Sequence, residues 1–169
     1  TPKQLFQHQT IAELAAVASQ TPLIEAEQGI ITGSVPLTPI QHWFFEQQKP
    51  NPHHFNQAVL LKVKTEINVN HLEEALQELL LHHDALRLRF EQTESGWKQS
   101  HLEPSSEIPL TCFDLSQLTD SQQQNAITNI TTQIQKSLNI STGTVIQVAL
   151  FNLGENKANR LLFVIHHLV

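Results

Sequence analysis

The chain has 169 residues and a net charge of -6 at pH 7, with ten lysines and arginines, sixteen aspartates and glutamates, and one cysteine, Cys112. The basic residues are scattered, no apolar run approaches the roughly 20 residues of a membrane helix, and one cysteine forms no internal disulfide, so these totals argue against nucleic-acid partners, membrane partners and a disulfide framework. The first residues, TPKQLFQHQT, also lack the charged and apolar regions of a secretion signal, and we expect a cytoplasmic chain.

The first predicted element is a short amphipathic helix from Thr10 to Ser19. Thr10 is a candidate N-cap, and an acidic residue follows in the first turn. Because a helix of about ten residues is marginal alone, we expect it to pack on a partner that lies upstream of Thr1. From Gln20 to Pro36 the apolar period disappears among prolines and glycines, which predicts a linker and a domain boundary.

A second helix is predicted from Pro39 to a point before Pro50. Thr38 is placed to cap it, and proline suits the first helical position, where no amide donor is needed. Ile40, Trp43, Phe44 and Gln47 fall on one side of this helix. We expect Trp43 and Phe44 to be core residues rather than ligand-stacking ones.

The rest of the chain predicts an alternation of strands and helices. The most regular helix runs from Asn68 to His83, with apolar residues near a 3.6 period and a capping pair of Asn70 and Glu73. The other predicted elements are a strand at Phe55–Lys64, a hairpin of Leu86–Glu91 and Trp97–Leu102 around Glu94–Gly96, a strand at Ile108–Phe113, a surface helix at Leu118–Leu138 resting on a sheet, and two adjacent strands at Thr144–Leu153 and Asn159–His167. The short turn between the last two predicts an antiparallel pair.

The last nine residues, LLFVIHHLV, carry the main candidate chemistry. An unbroken apolar run suits a strand that is buried on both faces. Because side chains alternate along a strand, His167 shares a face with Leu161, Phe163 and Ile165, whereas His166 points to the other face. Imidazole titrates near neutral pH, so one histidine at a rigid strand end is a candidate general base. A hydrogen-bonded structural role is the common alternative.

Other candidate groups indicate less. The pairs His53–His54, His82–His83 and His166–His167 do not have zinc-ligand spacing, so we expect no metal site. His82 and His83 end the regular helix, where histidine favours the negative end of the helix dipole. Arg87 and Arg89 are predicted to lie in a strand, from which one of them reaches a carboxylate across the fold.

Four segments, taken in order, resemble the condensation superfamily of nonribosomal peptide synthetases. They are Pro39–Phe44 (PIQHWF), Phe55–Gln57 (FNQ), His83–Arg87 (HDALR) and His166–His167. The resemblance covers about Val35 to Val169. Within the superfamily, P-I-Q-x-W-F is similar to the pattern of epimerization domains. H-D-A-L-R is common to epimerization domains and to peptide-bond-forming domains, so it does not distinguish the two classes. His166 and His167 resemble the start of the H-H-x-x-x-D-G motif, of which the third spacer residue, the aspartate and the glycine are missing from this sequence.

The resemblance implies an α+β fold, the N-terminal lobe of a chloramphenicol-acetyltransferase-like pair of lobes, with a mixed sheet and helices packed on it. Residues 1–20 resemble the C-terminal helix of a peptidyl carrier domain, residues 21–35 would be the linker, and residues 36–169 the truncated lobe. The chain is therefore expected to be a piece of a longer synthetase. Its implied partners are the carrier domain and the adjacent synthetase domains.

The resemblance also implies a reaction, the conversion of an L-aminoacyl or peptidyl thioester to its D-epimer. His167 corresponds to the active-site histidine and His166 to its structural neighbour, while Gln41, Trp43 and Arg87 are motif residues. No cofactor is bound directly, because the substrate is carried on the phosphopantetheine of the carrier. The family's partner glutamate belongs to the second lobe, so we expect this chain alone not to epimerize.

Three alternatives stay open. In a peptide-bond-forming condensation domain, the same histidine would assist the attack of an amine on the upstream thioester. A degenerate scaffold would only dock a carrier protein, and a stand-alone acyltransferase would use coenzyme A. We also expect the isolated chain to aggregate, because the apolar strand Leu161 to Ile165 would lack a covering neighbour.

Overall fold

The structure, a computed structural model, describes residues 2–17 and 29–169. At its start, α1 (Pro2–Gln7) contacts α2 (Ile11–Val17). The Thr10 hydroxyl accepts the Glu13 N–H and the Glu13 carboxylate accepts the Thr10 N–H, both at 3.3 Å, so the predicted helix start is confirmed. Its predicted end at Ser19 lies outside the described residues. The helix α1 was not predicted, and it supplies a partner for α2 within the chain itself.

The larger of two sheets has four strands in the order β2-β7-β6-β5. These are β2 (Asn56–Lys62), β5 (Leu110–Asp114), β6 (Ile146–Asn152) and β7 (Arg160–His166). Strand β7 is antiparallel to both β2 and β6, which confirms the predicted antiparallel pair. Strand β5 is parallel to β6, and α5 (Asp120–Ser137) forms the crossover between them. The sheet is therefore mixed, as expected.

Helices cover both faces of this sheet. On one face α5 packs through Ile127 against a core that includes Phe151, Leu162 and Val164. On the other face α4 (Val69–His82) packs through Leu76. Its core partners are the buried residues Ile146, Val148, Leu150 and Leu161. Alternate side chains of β6 and β7 thus point into two separate cores, one on each face of the sheet. The expected α+β architecture is confirmed. The cap of α4 is Asn68, not the predicted pair of Asn70 and Glu73.

The position of β7 corrects one expectation. Leu161 to Ile165 does not lack a covering neighbour, because β7 pairs with a strand on each side and Val164 is fully buried. The exposed apolar strand is β2, which lies at the sheet edge with Val59, Leu60 and Leu61 each more than 40% exposed.

The smaller sheet has three antiparallel strands in the order β1-β4-β3. Strands β3 (Leu88–Thr93) and β4 (Gly96–His101) form the predicted hairpin. Strand β1 (Gly33–Val35) lies inside the segment predicted as a linker, where the sequence analysis predicted no strand. A 3-10 helix, Asp84–Arg87, precedes β3, so Arg87 is not in a strand as predicted.

The helix α3 (Pro39–Glu46) starts at the predicted residue but buries a different side. Phe44 and Gln41 are buried, whereas Ile40 and Trp43 are 66% and 56% exposed. A polar side chain occupies the buried side because its hydrogen-bonding groups are satisfied there by backbone atoms. Across the described residues, no helix is long and apolar enough to cross a membrane.

Candidate active site

A cavity of about 670 Å³ lies where the two sheets meet. Its walls are the inner face of the three-stranded sheet, the helix α3 and the residues that follow β7. Most of the lining is apolar or aromatic, including Ile40, Trp43, Phe44, Phe55, Leu88 and Val169. The polar residues of the lining are Thr38, Gln41, Gln99, His101 and His167. Such a chamber, apolar with a few convergent polar groups, is typical of a site for a small organic group.

His167 is the first residue after β7, which ends one position earlier than the sequence predicted. Its backbone N–H donates to the Phe55 carbonyl at 2.7 Å, and its ring centroid lies 5.2 Å from that of Phe55. The His167 backbone is thus fixed by the residue that precedes β2. Within residues 2–17 and 29–169, no group forms a hydrogen bond with the His167 imidazole, which leaves both ring nitrogens available at the cavity wall.

His166 has the opposite environment. Its ring is fully buried, its Nε2 lies 2.8 Å from the Pro52 carbonyl, and its Nδ1 lies 3.2 Å from the Leu168 backbone nitrogen. Because a carbonyl only accepts and a backbone N–H only donates, Nε2 carries the proton and Nδ1 accepts. Burial lowers the pKa of His166, which favours this neutral form. Both ring nitrogens are therefore occupied by backbone groups.

Gln41 connects α3 to the segment that follows the histidines. Its Oε1 accepts the Thr38 N–H at 2.8 Å, and its Nε2 donates to the Leu168 carbonyl at 3.3 Å. The glutamine of P-I-Q-x-W-F thus holds the helix start and the residue next to His167 with one side chain. Trp43, two residues on, is not the core residue that the sequence predicted, because its half-exposed ring lines the cavity.

Arg87 does not line this cavity. Its guanidinium is 5% exposed and donates to backbone carbonyls at the end of α4, after β4 and before β1. These acceptors are Leu80, Leu81, Leu102 and Ile31. The carboxylate partner of Arg87 is Asp84, three residues earlier, and that of Arg89 is Glu91, two residues later, so the predicted contact of one of them across the fold is wrong. The hydrogen bond from Arg87 holds the pKa of Asp84 below its usual value.

The other histidines bear on metal binding and on a residue that the sequence analysis missed. Among the described residues, no group of three or more histidines, cysteines, aspartates or glutamates is arranged to hold a metal ion. His101, however, lines the cavity together with His167, and its Nδ1 lies 3.0 Å from the Asp84 carbonyl. Its alternation with Trp97 and Gln99 along β4 was the available signal, but only the sheet register brings that face to the cavity.

Comparison with known proteins identifies the family. The sequence profile of the condensation domain matches residues 31–169. One component protein of the linear gramicidin synthase of Brevibacillus parabrevis is 50% identical over 168 residues, which cover 99% of this chain and 3% of that protein. Chondramide synthase of Chondromyces crocatus is 47% identical over 169 residues, covering 100% and 4%. The chain thus spans only a small share of the length of these relatives.

Solved structures share the fold. The epimerization domain from the third module of tyrocidine synthetase B is 34% identical, with a TM-score of 0.76 over 84% of this chain and 32% of that one. The first condensation domain of the calcium-dependent antibiotic synthetase is 20% identical, with a TM-score of 0.67 over 80% and 33%, a similarity of fold alone. From its profile match and these relatives, the chain belongs to the condensation-domain family of nonribosomal peptide synthetases.

Proposed function

We propose that this chain is the N-terminal lobe of an epimerization domain, which converts an L-aminoacyl or peptidyl thioester to the D-epimer at its α-carbon. The observation that carries the proposal is the position of His167, whose imidazole has no hydrogen-bond partner in the described part of the chain and lines an apolar cavity beside the helix that bears P-I-Q-x-W-F. The 34% identity to an epimerization domain supports the same choice. Similarity to condensation domains at 20–23% identity supports only the fold.

The chemistry suits a single imidazole and one further group. A thioester acidifies the adjacent C–H, so a base on one face of the α-carbon and an acid on the other face can remove and return a proton without a metal. Positioned acid and base groups each contribute roughly 10²- to 10⁴-fold to such a transfer. In this proposal His167 is one of the two groups. The other group would lie across the α-carbon from His167, on the opposite face.

The proposal also names the partners. The substrate arrives on the phosphopantetheine arm of a peptidyl carrier domain, and this chain holds no cofactor of its own. Residues 1–20 would be the C-terminal end of such a carrier, residues 21–35 a linker and residues 36–169 the lobe, beside other synthetase domains. The second acid or base comes from the second lobe, so the 169-residue chain alone is expected to give no D product.

The test is chiral analysis of the thioester released from an intact module that contains this chain. Wild-type module is expected to give a mixture of L and D forms and to exchange the α-hydrogen with deuterated water. His167→Ala is expected to lower the rate of D formation by at least roughly 100-fold. His42→Ala, which removes an exposed imidazole on α3 outside the cavity wall, is the matched control and should leave the rate unchanged. No D product and no exchange from the wild-type module would overturn the proposal.

A condensation domain is the second candidate, favoured by the family profile and by the condensation domains that share the fold. In that reaction His167 would assist the attack of an acceptor amine on the upstream thioester. A peptide-bond product that requires a loaded downstream carrier, formed without inversion of the donor α-carbon, would identify this activity.

A further inference from the structure

We propose that His101 binds the substrate by accepting a hydrogen bond from the N–H on the α-nitrogen of the tethered aminoacyl or peptidyl group. This inference rests on the proposed function and concerns how the substrate is oriented at the cavity, not which group moves the proton. It makes His101 a second substrate-contacting residue beside His167.

His101 lies in the wall of the cavity. It is the last residue of β4, on the same strand face as Gln99, and Gln99 also lines the cavity. Its cross-strand partner in β3 is Leu88, a further residue of the cavity wall. His101 thus belongs to a sheet face that forms one wall of the chamber, and His167 lines the same chamber from the end of β7.

A hydrogen bond at Nδ1 fixes the tautomer of His101. The Nδ1 atom lies 3.0 Å from the backbone carbonyl of Asp84, and a carbonyl oxygen only accepts, so Nδ1 carries the proton. The side chain is partly exposed, and no group in the described parts of the chain forms a hydrogen bond with Nε2. In the neutral ring, Nε2 therefore presents a lone pair on a side chain whose orientation is fixed from behind.

The cavity wall beside His101 contains a second polar side chain, Gln99. Gln99 is 5% exposed, and its Nε2 donates to the Pro36 carbonyl at 2.6 Å. This bond leaves Gln99 Oε1 without a partner among the residues described by the structure. The buried Gln99 Oε1 therefore adds a partial negative charge behind the wall, next to the accessible Nε2 of His101 on the same face of β4, and this charge favours an N–H group of a ligand.

The tethered substrate offers several N–H donors, and the one on the α-nitrogen suits His101 best. The α-nitrogen is bonded directly to the carbon whose hydrogen moves, and that carbon must lie at His167. The amides of the phosphopantetheine arm are several bonds further away. The α-nitrogen is therefore the substrate donor nearest to the carbon at His167, within the cavity that His101 also lines. A hydrogen bond at this nitrogen restricts rotation of the substrate about the α-carbon and aims its C–H at the base.

The experiment uses an intact epimerizing module and two substrates. One is the peptidyl thioester on the carrier, and the other is its depsipeptide analogue, in which an ester oxygen replaces the α-nitrogen and removes the N–H. Wild-type module is expected to process the analogue with a kcat/KM roughly 10- to 100-fold lower than that of the amide.

Two variants separate the cavity-facing atom from the structural one. In His101→Asn the side-chain amide can replace Nδ1–H and keep the bond to Asp84, but nothing replaces Nε2. In His101→Gln the longer amide can place an acceptor near the Nε2 position, at the expense of the Asp84 contact. We expect Asn to lower kcat/KM for the amide substrate roughly 10-fold or more, mainly through KM, and to abolish the difference between the two substrates. We expect Gln to lower thermal stability more than Asn and yet to preserve part of that difference.

A control variant and the wild-type module separate an effect of His101 from a failure of the proposed function. His71→Asn makes the same substitution at an exposed position of α4 and should change neither substrate. If wild type and His101→Asn discriminate equally between amide and ester, the inference about His101 is wrong although the module still epimerizes. If wild type produces no D form from either substrate, the proposed function itself fails.

Discussion

The buried imidazole of His166 is predicted to stabilise the strand end that carries His167. The perturbation is His166→Phe, which keeps a flat ring of similar size but removes both ring nitrogens. Edge-on contacts with the rings of Phe44 and Phe55, at centroid distances of 6.0 and 6.4 Å, can accommodate a phenyl group. The change therefore tests the two hydrogen bonds rather than the packing.

The magnitude follows from the groups that lose their partners. The Pro52 carbonyl and the Leu168 N–H are left without the ring that bonds them, and an unsatisfied buried group costs about 1–3 kcal/mol. The greater hydrophobicity of phenylalanine offsets part of this loss. We expect the free energy of unfolding of the intact domain to fall by about 2–4 kcal/mol at pH 8 in urea titrations.

The pH dependence gives an independent check. Burial lowers the pKa of His166 below its usual value of 6.5, so below that pH the unfolded chain binds a proton that the folded chain does not. The contribution of this histidine to stability is thus present above pH 6.5 and decreases as the pH falls toward the folded-state pKa. The gap between wild type and His166→Phe should be widest near pH 8 and narrower near about pH 5.5. A gap that stays constant over this range, or a loss under about 0.5 kcal/mol in the variant, would refute the reasoning; exposed His71→Phe is the control.

Three further predictions concern the frame around the site. Arg87→Lys keeps the charge but not the planar fork that reaches several backbone carbonyls, so urea unfolding of the intact domain should show a loss of about 1–3 kcal/mol; an unchanged midpoint would contradict this. Gly143→Ala places a Cβ 2.5 Å from Leu102 Cδ1 at a φ of +88°, and should lower stability by at least about 1 kcal/mol in the same assay; an equal or higher urea midpoint would count against the strain. Leu61→Lys puts a charge on the exposed edge strand β2, and should reduce self-association of the isolated 169-residue chain in light scattering; equal scattering from both chains would place the self-associating surface elsewhere.

Elements with a clear period were predictable from the sequence. The apolar runs of β6 and β7, the hairpin of β3 and β4, and the helix α4 each indicate their type within their own residues. In contrast, β1 is three residues long and is a strand only because β4 pairs with it, so no local pattern marks it. Arg87 lies in a 3-10 helix, and its guanidinium binds the Ile31 and Leu102 carbonyls as well as the nearby end of α4, so its environment depends on segments that a local window of sequence does not contain.

The site was predictable in part for the same reason. Strand alternation assigns His166 and His167 to opposite faces, and the structure gives them opposite environments. The side of α3 was mistaken because an apolar count favours Trp43 over Gln41, whereas two backbone contacts bury the glutamine. His101 was missed because its relation to the cavity depends on the register of β3 and β4 and on the Asp84 carbonyl behind it.

The two adjacent histidines are structurally linked, because the contacts of His166 fix the backbone on both sides of His167. His166 binds Pro52, which precedes β2, and Leu168, which follows His167, so the buried ring joins the two segments on either side of the free ring. Gln41 then binds the same Leu168 from α3. The His167 imidazole is therefore held by the backbone contacts of its neighbours and by its ring contact with Phe55, and its ring nitrogens have no hydrogen-bond partner among the described residues. In the proposed reaction, the partnered neighbour would therefore position His167 while both nitrogens of the His167 ring stay open to the substrate and to the solvent.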